Sequence, residues 1–158
     1  MMDMNHVLKK CRTAIWTLAT LLAACLAGSP TGAQTVLVPT NAIWKYLDNG
    51  SNQDTPWRLP GFNDVAWASG AAELGFGDAV EGRPEATLLN SGPPSPSHYI
   101  TYYFRRHFPV TGAAAITNLV ARVMRDDGAV VYLNGVEAGR TGMDLGPVNY
   151  LTLAAAPG

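Results

Sequence analysis

The chain has 158 residues, of which 47% are hydrophobic and 15% charged, and its formal net charge is −1. A chain of this length has room for one domain. The slightly acidic balance provides no basic stripe, which excludes nucleic acid as a partner.

The N-terminus has the features of a secretory signal peptide. A basic flank, "HVLKKCRT", precedes the 15-residue apolar run "AIWTLATLLAACLAG", and small residues follow up to Ala33. The run is shorter than the roughly 20 residues that a membrane-spanning helix needs. We therefore predict a signal peptide over residues 1–33 and a mature domain over 34–158. A buried N-terminal helix is the alternative for the apolar run.

Cys25 offers a second way of processing this leader. Residues 22–25, "LAAC", resemble a bacterial lipobox, in which the cysteine is lipidated and becomes the first residue. The apolar run continues past that cysteine, so we favour cleavage after Ala33. The predicted location is secreted, periplasmic or at the cell surface, with a lipoprotein anchored through Cys25 as the alternative. Without that anchor we expect no membrane contact after cleavage.

Removal of the leader changes the charge and the thiol content. Residues 1–33 hold three of the 11 Lys and Arg and one of the 12 Asp and Glu, so the mature chain has a net charge of −3. Both cysteines, Cys11 and Cys25, are removed as well, which excludes a disulfide in the mature domain. Lys45 is the single lysine that remains.

The first half of the mature chain consists of short strand-like runs between clusters of Gly, Pro, Asn and Asp. No stretch keeps apolar residues at helical spacing. We predict strands over 35–39, 42–48 and 71–78. Residues 55–70 are interrupted by Pro and Gly and are predicted to form an ordered loop. Residues 81–97 are predicted to form a long surface loop.

The second half alternates more regularly. Residues 98–110, "HYITYYFRRHFPV", place Tyr102, Phe104 and Phe108 on one face. The opposite face carries Tyr103, Arg105 and His107. Arg106 is the exception on the apolar face and needs a partner or an edge position.

A second alternating run and a hairpin follow. Residues 116–125, "ITNLVARVMR", are predicted to form a strand. Asn134-Gly135 lies between "AVVYL" and "VEAGR" and predicts a β-hairpin, because a type I′ turn needs positive φ at both central positions. Turn-separated strands without helices predict an all-β sandwich whose core lies between two sheets.

Asp126 and Asp127 form the most prominent acidic pair. Carboxylates bind calcium, but "DDGAVV" lacks the spacing of a calcium loop. Neighbours on a strand point to opposite faces, which disfavours the paired carboxylates of glycoside hydrolysis. The pattern favours a turn between strands, in which Asp caps backbone N–H groups and Gly128 adopts positive φ. A ligand or ion contact is the alternative.

The mature tryptophans, Trp44, Trp57 and Trp67, have two interpretations. Aromatic faces can stack on a sugar ring, but burial in a core or an ordered loop is more common for tryptophan. Tyr103 and Tyr132 are further candidates for surface contacts.

Catalytic motifs are absent from the sequence. There is no H-E-x-x-H, no G-x-S-x-G and no phosphate-binding glycine loop. His98 and His107 lie nine residues apart and do not form a metal pair. The arginines at 105, 106, 122 and 125 form either an acidic-ligand patch or, as we favour, a solvated face with local Asp partners.

Three segments in order carry a family resemblance. A "W-R-x-P-x-F-D-D-x-x-W" loop, a "Y-x-R-x-F" strand and a "D-D-x-x-x-V-x-L-N-G" hairpin occur in galactose-binding-domain-like jelly-roll modules of exported bacterial proteins. They also occur in the N-terminal sugar-binding domains of the β-galactosidase and β-glucuronidase family. The chain resembles these modules over residues 36–150, at Trp57, Arg58, Pro60, Phe62, Asn63, Asp64 and Trp67, then Tyr103, Arg105 and Phe108, then 126–135.

The resemblance implies a non-catalytic accessory module, and the chain is predicted not to be an enzyme. Such modules accompany a hydrolase, a metallophosphatase-like domain or a surface-anchoring domain. The glycosidases carry their catalytic residues in another domain, so none is transferred to this chain. Members of the wider fold often hold a structural calcium and bind sugars in loops at one end of the sandwich. The sequence shows no recognisable copy of either site, and calcium is the one cofactor that the resemblance allows.

The chain departs from the family after the hairpin. Family modules continue through further strands that close the sheets, whereas this sequence ends in "NYLTLAAAPG". We therefore expect an incomplete sandwich, with unpaired backbone edges.

The leading hypothesis is a carbohydrate-binding accessory module, with Trp57, Arg58, Asp126 and Asp127 as candidate ligand-binding residues. Its expected partner is a carbohydrate or a missing neighbouring domain. One alternative is the N-terminal fragment of a secreted multidomain hydrolase, of glycosidase or metallophosphatase type, without its catalytic domain. The other is a structural or adhesive surface domain.

Overall fold

A computed structural model of the chain describes residues 34–155. The predicted signal peptide, the lipobox and both cysteines lie outside these residues. The described part is β-rich and contains seven strands, three short 3₁₀ turns and no α-helix. The strands are β1 Ile43–Leu47, β2 Ala68–Ala71, β3 Leu74–Gly75, β4 Thr87–Leu88, β5 Tyr103–Arg105, β6 Ala129–Leu133 and β7 Val136–Thr141. The 3₁₀ turns are Pro56–Arg58, Asp78–Glu81 and Ala113–Ala115. Between residues 34 and 155, no helix is long and apolar enough to cross a membrane.

The strands form three separate sheets. The largest has the order β2-β1-β5, with both pairings antiparallel, while β3 and β4 pair in parallel and β6 and β7 form an antiparallel hairpin. In the central strand, Trp44 lies opposite Gly70 and Tyr46 lies opposite Phe104. The β-rich class predicted from the sequence is confirmed at this level.

Strand β1 forms because "IWKYL" combines β-branched, aromatic and aliphatic residues that suit a half-buried sheet surface. Its Lys45 Nζ donates a hydrogen bond to the carbonyl oxygen of Trp67, 3.0 Å away. Next to β1, a Cβ on Gly70 would lie only 2.4 Å from Thr87 Oγ1. That hydroxyl in turn donates to the carbonyl of Ala71 at 2.8 Å. The absent side chain at Gly70 thus lets β4 approach β2.

Two of the strands predicted in the first half have counterparts in the structure. The predicted strand 42–48 is β1, and 71–78 contains the last residue of β2, Ala71, and the two residues of β3. The predicted strand 35–39 is wrong, since no strand lies there. Pro39 has no N–H for a ladder, and its carbonyl accepts a hydrogen bond from Ala42 N at 3.1 Å, so the chain turns at this point.

The two predicted loops are shorter than expected. The ordered loop ends at Trp67, because residues 68–70 already belong to β2. The predicted surface loop 81–97 contains β4 and the buried Leu89. The backbone explains this difference, since Thr87 N donates to the Glu73 carbonyl and Leu89 N donates to the Gly75 carbonyl.

Strand β5 buries the face that the sequence pattern assigned to solvent. Tyr103 and Arg105 are 5% and 8% exposed, whereas the predicted apolar face retains only half-buried side chains. The apolar face predicted from the alternation is therefore not the more buried face. The opposite face is buried because loop groups that accept hydrogen bonds from Arg105 cover it. Arg106 lies just beyond β5 at the edge of the sheet, and its guanidinium donates to the carbonyl of Ile43. The sequence required a partner or an edge position for Arg106, and the structure provides both.

The predicted strand over residues 116–125 is also wrong. None of these residues belongs to a strand, and all ten are exposed. Their alternation suits a sheet, but no neighbouring strand pairs with them among the described residues. An extended segment becomes a strand only when a partner satisfies its backbone groups.

The hairpin predicted at Asn134-Gly135 is confirmed. Both turn residues have positive φ, 51° for Asn134 and 88° for Gly135, as a type I′ turn requires. Leu133 lies opposite Val136 at the tip, and the register shifts by one residue after Val131. The shift is a β-bulge in β7.

Gly135→Ala should destabilise the domain by about 1–2 kcal/mol, because a Cβ is strained at positive φ. That Cβ would also lie 3.0 Å from Leu59 Cδ2. Gly61→Ala is the matched control, since its Cβ would meet nothing within 4 Å and its φ is not positive. Urea unfolding followed by tryptophan fluorescence measures both variants. Equal stability of the two would contradict the strained-turn assignment.

Candidate functional site

One buried guanidinium holds the ordered loop against β5. Arg105 Nε donates to Asp64 Oδ2 at 2.9 Å, and its NH1 donates to the carbonyl of Leu59 at 3.2 Å. The same NH1 also donates to the carbonyl of Trp57. A buried cation requires such partners, and here a carboxylate and two loop carbonyls provide them. The loop and strand segments of the family resemblance therefore meet at Arg105.

Aromatic rings fill the space around this contact. Trp57 packs edge-to-face on Tyr103, with ring centroids 5.0 Å apart, and on Tyr132, with centroids 5.7 Å apart. Trp67 lies 6.1 Å from Tyr103 and 5.7 Å from Phe62. Trp67 and Tyr103 are buried, so Tyr103 is not the surface contact that its sequence position suggested. Burial decides its role, because the loop covers its ring.

Arg58 lies over the aromatic pair formed by loop and hairpin. Its Cζ is 4.3 Å from the ring centre of Tyr132 and 5.9 Å from that of Trp57, within cation–π range. Its Nε is buried and has no hydrogen-bond partner among residues 34–155. The hairpin tip reaches the same place, since a Cβ on Gly135 would contact Leu59.

An ion pair borders Arg58 on the hairpin. Arg140 Nε and NH2 each donate to a carboxylate oxygen of Glu137 at 2.7 Å. This hydrogen bonding lowers the pKa of Glu137, and the positive charge of Arg58 contributes in the same direction. Glu137 lies opposite Tyr132 in the register of the hairpin. We call Trp57, Arg58, Tyr132, Glu137 and Arg140 the Arg58 surface.

Asp126 and Asp127 lie at the other end of the hairpin, before β6 begins, and both are exposed. Asp127 and Tyr132 are five positions apart along an extended chain, a span of about 17 Å. The four candidate ligand residues therefore divide into Trp57 with Arg58, at the hairpin tip, and the two aspartates at its base. The chain bends at the aspartates, but the turn between two strands predicted there is wrong, since residues 116–125 form no strand.

Gly128 has a role different from the one predicted. It is not among the glycines with positive φ. A Cβ at this position would lie 2.5 Å from the Gly142 carbonyl and 2.6 Å from Met143 Sδ. Close packing against the end of β7 requires glycine here.

The remaining titratable candidates are dispersed. His98 packs against Phe76, and His107 Nε2 lies 3.9 Å from Asp64 Oδ2 while its side chain is 67% exposed. Between residues 34 and 155, no three His, Cys, Asp or Glu side chains are placed to share a metal ion. Arg105 belongs to the buried loop contact, so neither an acidic-ligand patch nor a solvated face describes it.

Comparisons with protein-family models, with curated proteins and with solved structures found no match to this chain.

Sequence reasoning missed the pairing of Asp64 with Arg105 and the position of Tyr132 beneath Arg58. The presence of both Asp64 and Arg105 in the segments that carry the resemblance was the available signal. The contact of Arg58 with Tyr132 joins residues 74 positions apart in the chain, and no local pattern indicates it.

Arg105→Met should lower the free energy of unfolding by about 3–5 kcal/mol, because it leaves the carboxylate of Asp64 largely buried without its cation. Arg83→Gln is the control, since Arg83 pairs with Glu73 at an exposed site and should change stability by about 0.5 kcal/mol or less. Urea unfolding measures both. Similar stability of the two variants would mean that Arg105 does not hold the loop.

Stability should fall at alkaline pH through Tyr103. Burial raises its pKa above the ordinary value of 10.0. The folded state therefore favours the neutral phenol, so this contribution is complete below pH 10 and is lost as pH rises through the raised pKa. Unfolding free energies between pH 8 and 11, with tyrosinate absorbance, should show a smaller loss for Tyr103→Phe than for the wild type. An identical loss would contradict the assignment.

Proposed function

We propose that residues 34–158 form a galactose-binding-like β-sandwich that serves an exported protein as a non-catalytic accessory module and binds carbohydrate at the Arg58 surface. The observation that carries the proposal is the position of Arg58 over Tyr132, beside Trp57 and the ion pair of Glu137 and Arg140. The confirmed hairpin and the β-rich fold support the choice of module.

The composition of the Arg58 surface suits a sugar ligand. Sugar sites combine aromatic surface for the C–H face of the ring with a few polar groups that orient the hydroxyls. Trp57 and Tyr132 supply the aromatic surface, and both are half-buried. Arg58 supplies donors, and the carboxylate of Glu137 supplies acceptors. The loop contact at Arg105 holds Trp57 and Arg58 in place, which lowers the entropic cost of binding.

The two aspartates do not belong to this proposed ligand surface. They lie at the opposite end of the hairpin, so one small sugar cannot contact Asp127 and Arg58 together. We assign the sugar to the tip and give Asp126 and Asp127 no role in binding it.

Isothermal titration of the full chain with a panel of mono- and oligosaccharides tests the proposal. At least one sugar should bind, and Arg58→Gln should weaken its binding about 10- to 150-fold, the value of a charge-assisted hydrogen bond. Arg83→Gln, at an exposed ion pair outside this surface, should bind like the wild type. Asp126→Asn with Asp127→Asn should also leave the affinity unchanged.

Two outcomes would overturn the proposal. Absence of binding across the panel, with and without calcium, would favour a structural or adhesive module or a fragment of a hydrolase. Binding that is lost with the aspartate variant but kept with Arg58→Gln would move the ligand to the base of the hairpin.

A further inference from the structure

The two cations of the Arg58 surface differ in how far their hydrogen-bond donors are satisfied. Arg140 uses all three of its side-chain nitrogens: Nε and NH2 donate to Glu137 at 2.7 Å, and NH1 donates to the carbonyls of Asp144 and Gly146. Arg58 Nε is buried without a hydrogen-bond partner, and its two terminal nitrogens donate to no group among residues 34–155. Those terminal nitrogens are not buried, so a ligand can reach them.

The nearest carboxylate on this surface is not free to pair with Arg58. Both oxygens of Glu137 accept hydrogen bonds from Arg140, whose side chain is only 14% exposed. The surface thus holds two guanidinium groups and one carboxylate, a local charge of +1 on a mature domain whose net charge is −3. A ligand with one negative charge balances this surface and supplies the acceptors that Arg58 lacks.

The aromatic rings fix where that negative charge lies relative to a sugar ring. Arg58 Cζ is 4.3 Å from the ring centre of Tyr132 and 5.9 Å from that of Trp57. A sugar that packs on these rings therefore has its rim beside the guanidinium, and an acid group bonded directly to the sugar ring reaches it. The two oxygens of a carboxylate match the planar fork of a guanidinium, whereas a hydroxyl offers one neutral oxygen and binds more weakly.

We propose that the sugar bound at the Arg58 surface is a hexuronic acid, whose carboxylate pairs with the terminal nitrogens of Arg58 while its ring packs beside Trp57 and Tyr132. This inference rests on the proposed carbohydrate function and specifies the ligand class. A hexuronic acid differs from the neutral hexose of the same configuration only in bearing a carboxylate in place of the hydroxymethyl group. The charge at that one position therefore decides which of the two binds more tightly.

Isothermal titration of the full chain with matched sugars tests the charge. The pairs are galacturonic acid with galactose and glucuronic acid with glucose, and each acid is also compared with its methyl ester. At neutral pH one acid should bind about tenfold more tightly than its neutral hexose and its ester, the difference between a charged and a neutral hydrogen bond. Added salt should weaken binding of the acid more than binding of the ester, because ions screen the exposed charge pair.

Substitution of Arg58 identifies the cation that recognises the acid. Arg58→Gln should lower the affinity for the acid to that for its ester, since the carboxylate then meets a neutral amide. Arg58→Lys should keep part of the preference, because it retains the charge without the planar fork. Arg83→Gln is the control, at an exposed ion pair with Glu73, and should keep the full preference. The comparison of acid with ester on the wild-type chain needs no substitution and is independent of how the variants fold.

Three results would count against the inference. Equal binding of each acid and its methyl ester to the wild-type chain would overturn the charged ligand and leave the proposed carbohydrate module in place. A preference for the acid that persists in Arg58→Gln would assign the carboxylate to a different cation and overturn the role of Arg58. Absence of binding by every sugar, neutral or acidic, would overturn the proposed function and this inference with it.

Discussion

The contact between Arg105 and the loop before β2 is the interaction on which the rest of the described structure depends. A buried guanidinium is stable only with acceptors around it. The loop supplies two carbonyls and the carboxylate of Asp64, and these carbonyls in turn need donors that no strand provides. The two requirements satisfy each other, and as a result Trp57 and Trp67 are brought onto Tyr103.

The Arg58 surface is a consequence of that contact. With the loop in place, Arg58 extends over Tyr132 of β6, and the hairpin tip at Gly135 lies close to the side chain of Leu59. The ion pair of Glu137 and Arg140 largely balances its own charge, which leaves Arg58 as the cation of the surface without a carboxylate partner among the described residues. The Arg58 surface is assembled from two segments distant in sequence, the loop before β2 and the hairpin.

Periodicity alone proved insufficient to make a strand. Residues 35–39 and 116–125 both carry β-type patterns, yet neither is a strand in the described part of the chain. Alternation specifies which side chains share a face, whereas a strand exists only when a neighbour accepts and donates its backbone hydrogen bonds. At 35–39 a proline and a local turn remove that neighbour. At 116–125 no strand among the described residues supplies that neighbour.

The sequence by itself determined the β-rich class, the position of β1 and the type I′ hairpin, because each depends on residues close together in the chain. Asn and Gly tolerate positive φ better than other residues, which favours the turn at Asn134-Gly135, and "IWKYL" suits a sheet by its side chains. Only the tertiary structure decided which face of β5 is buried and that Arg58 and Asp127 lie at opposite ends of the hairpin. Those outcomes depend on hydrogen bonds and packing between residues more than 40 positions apart, which no local pattern specifies.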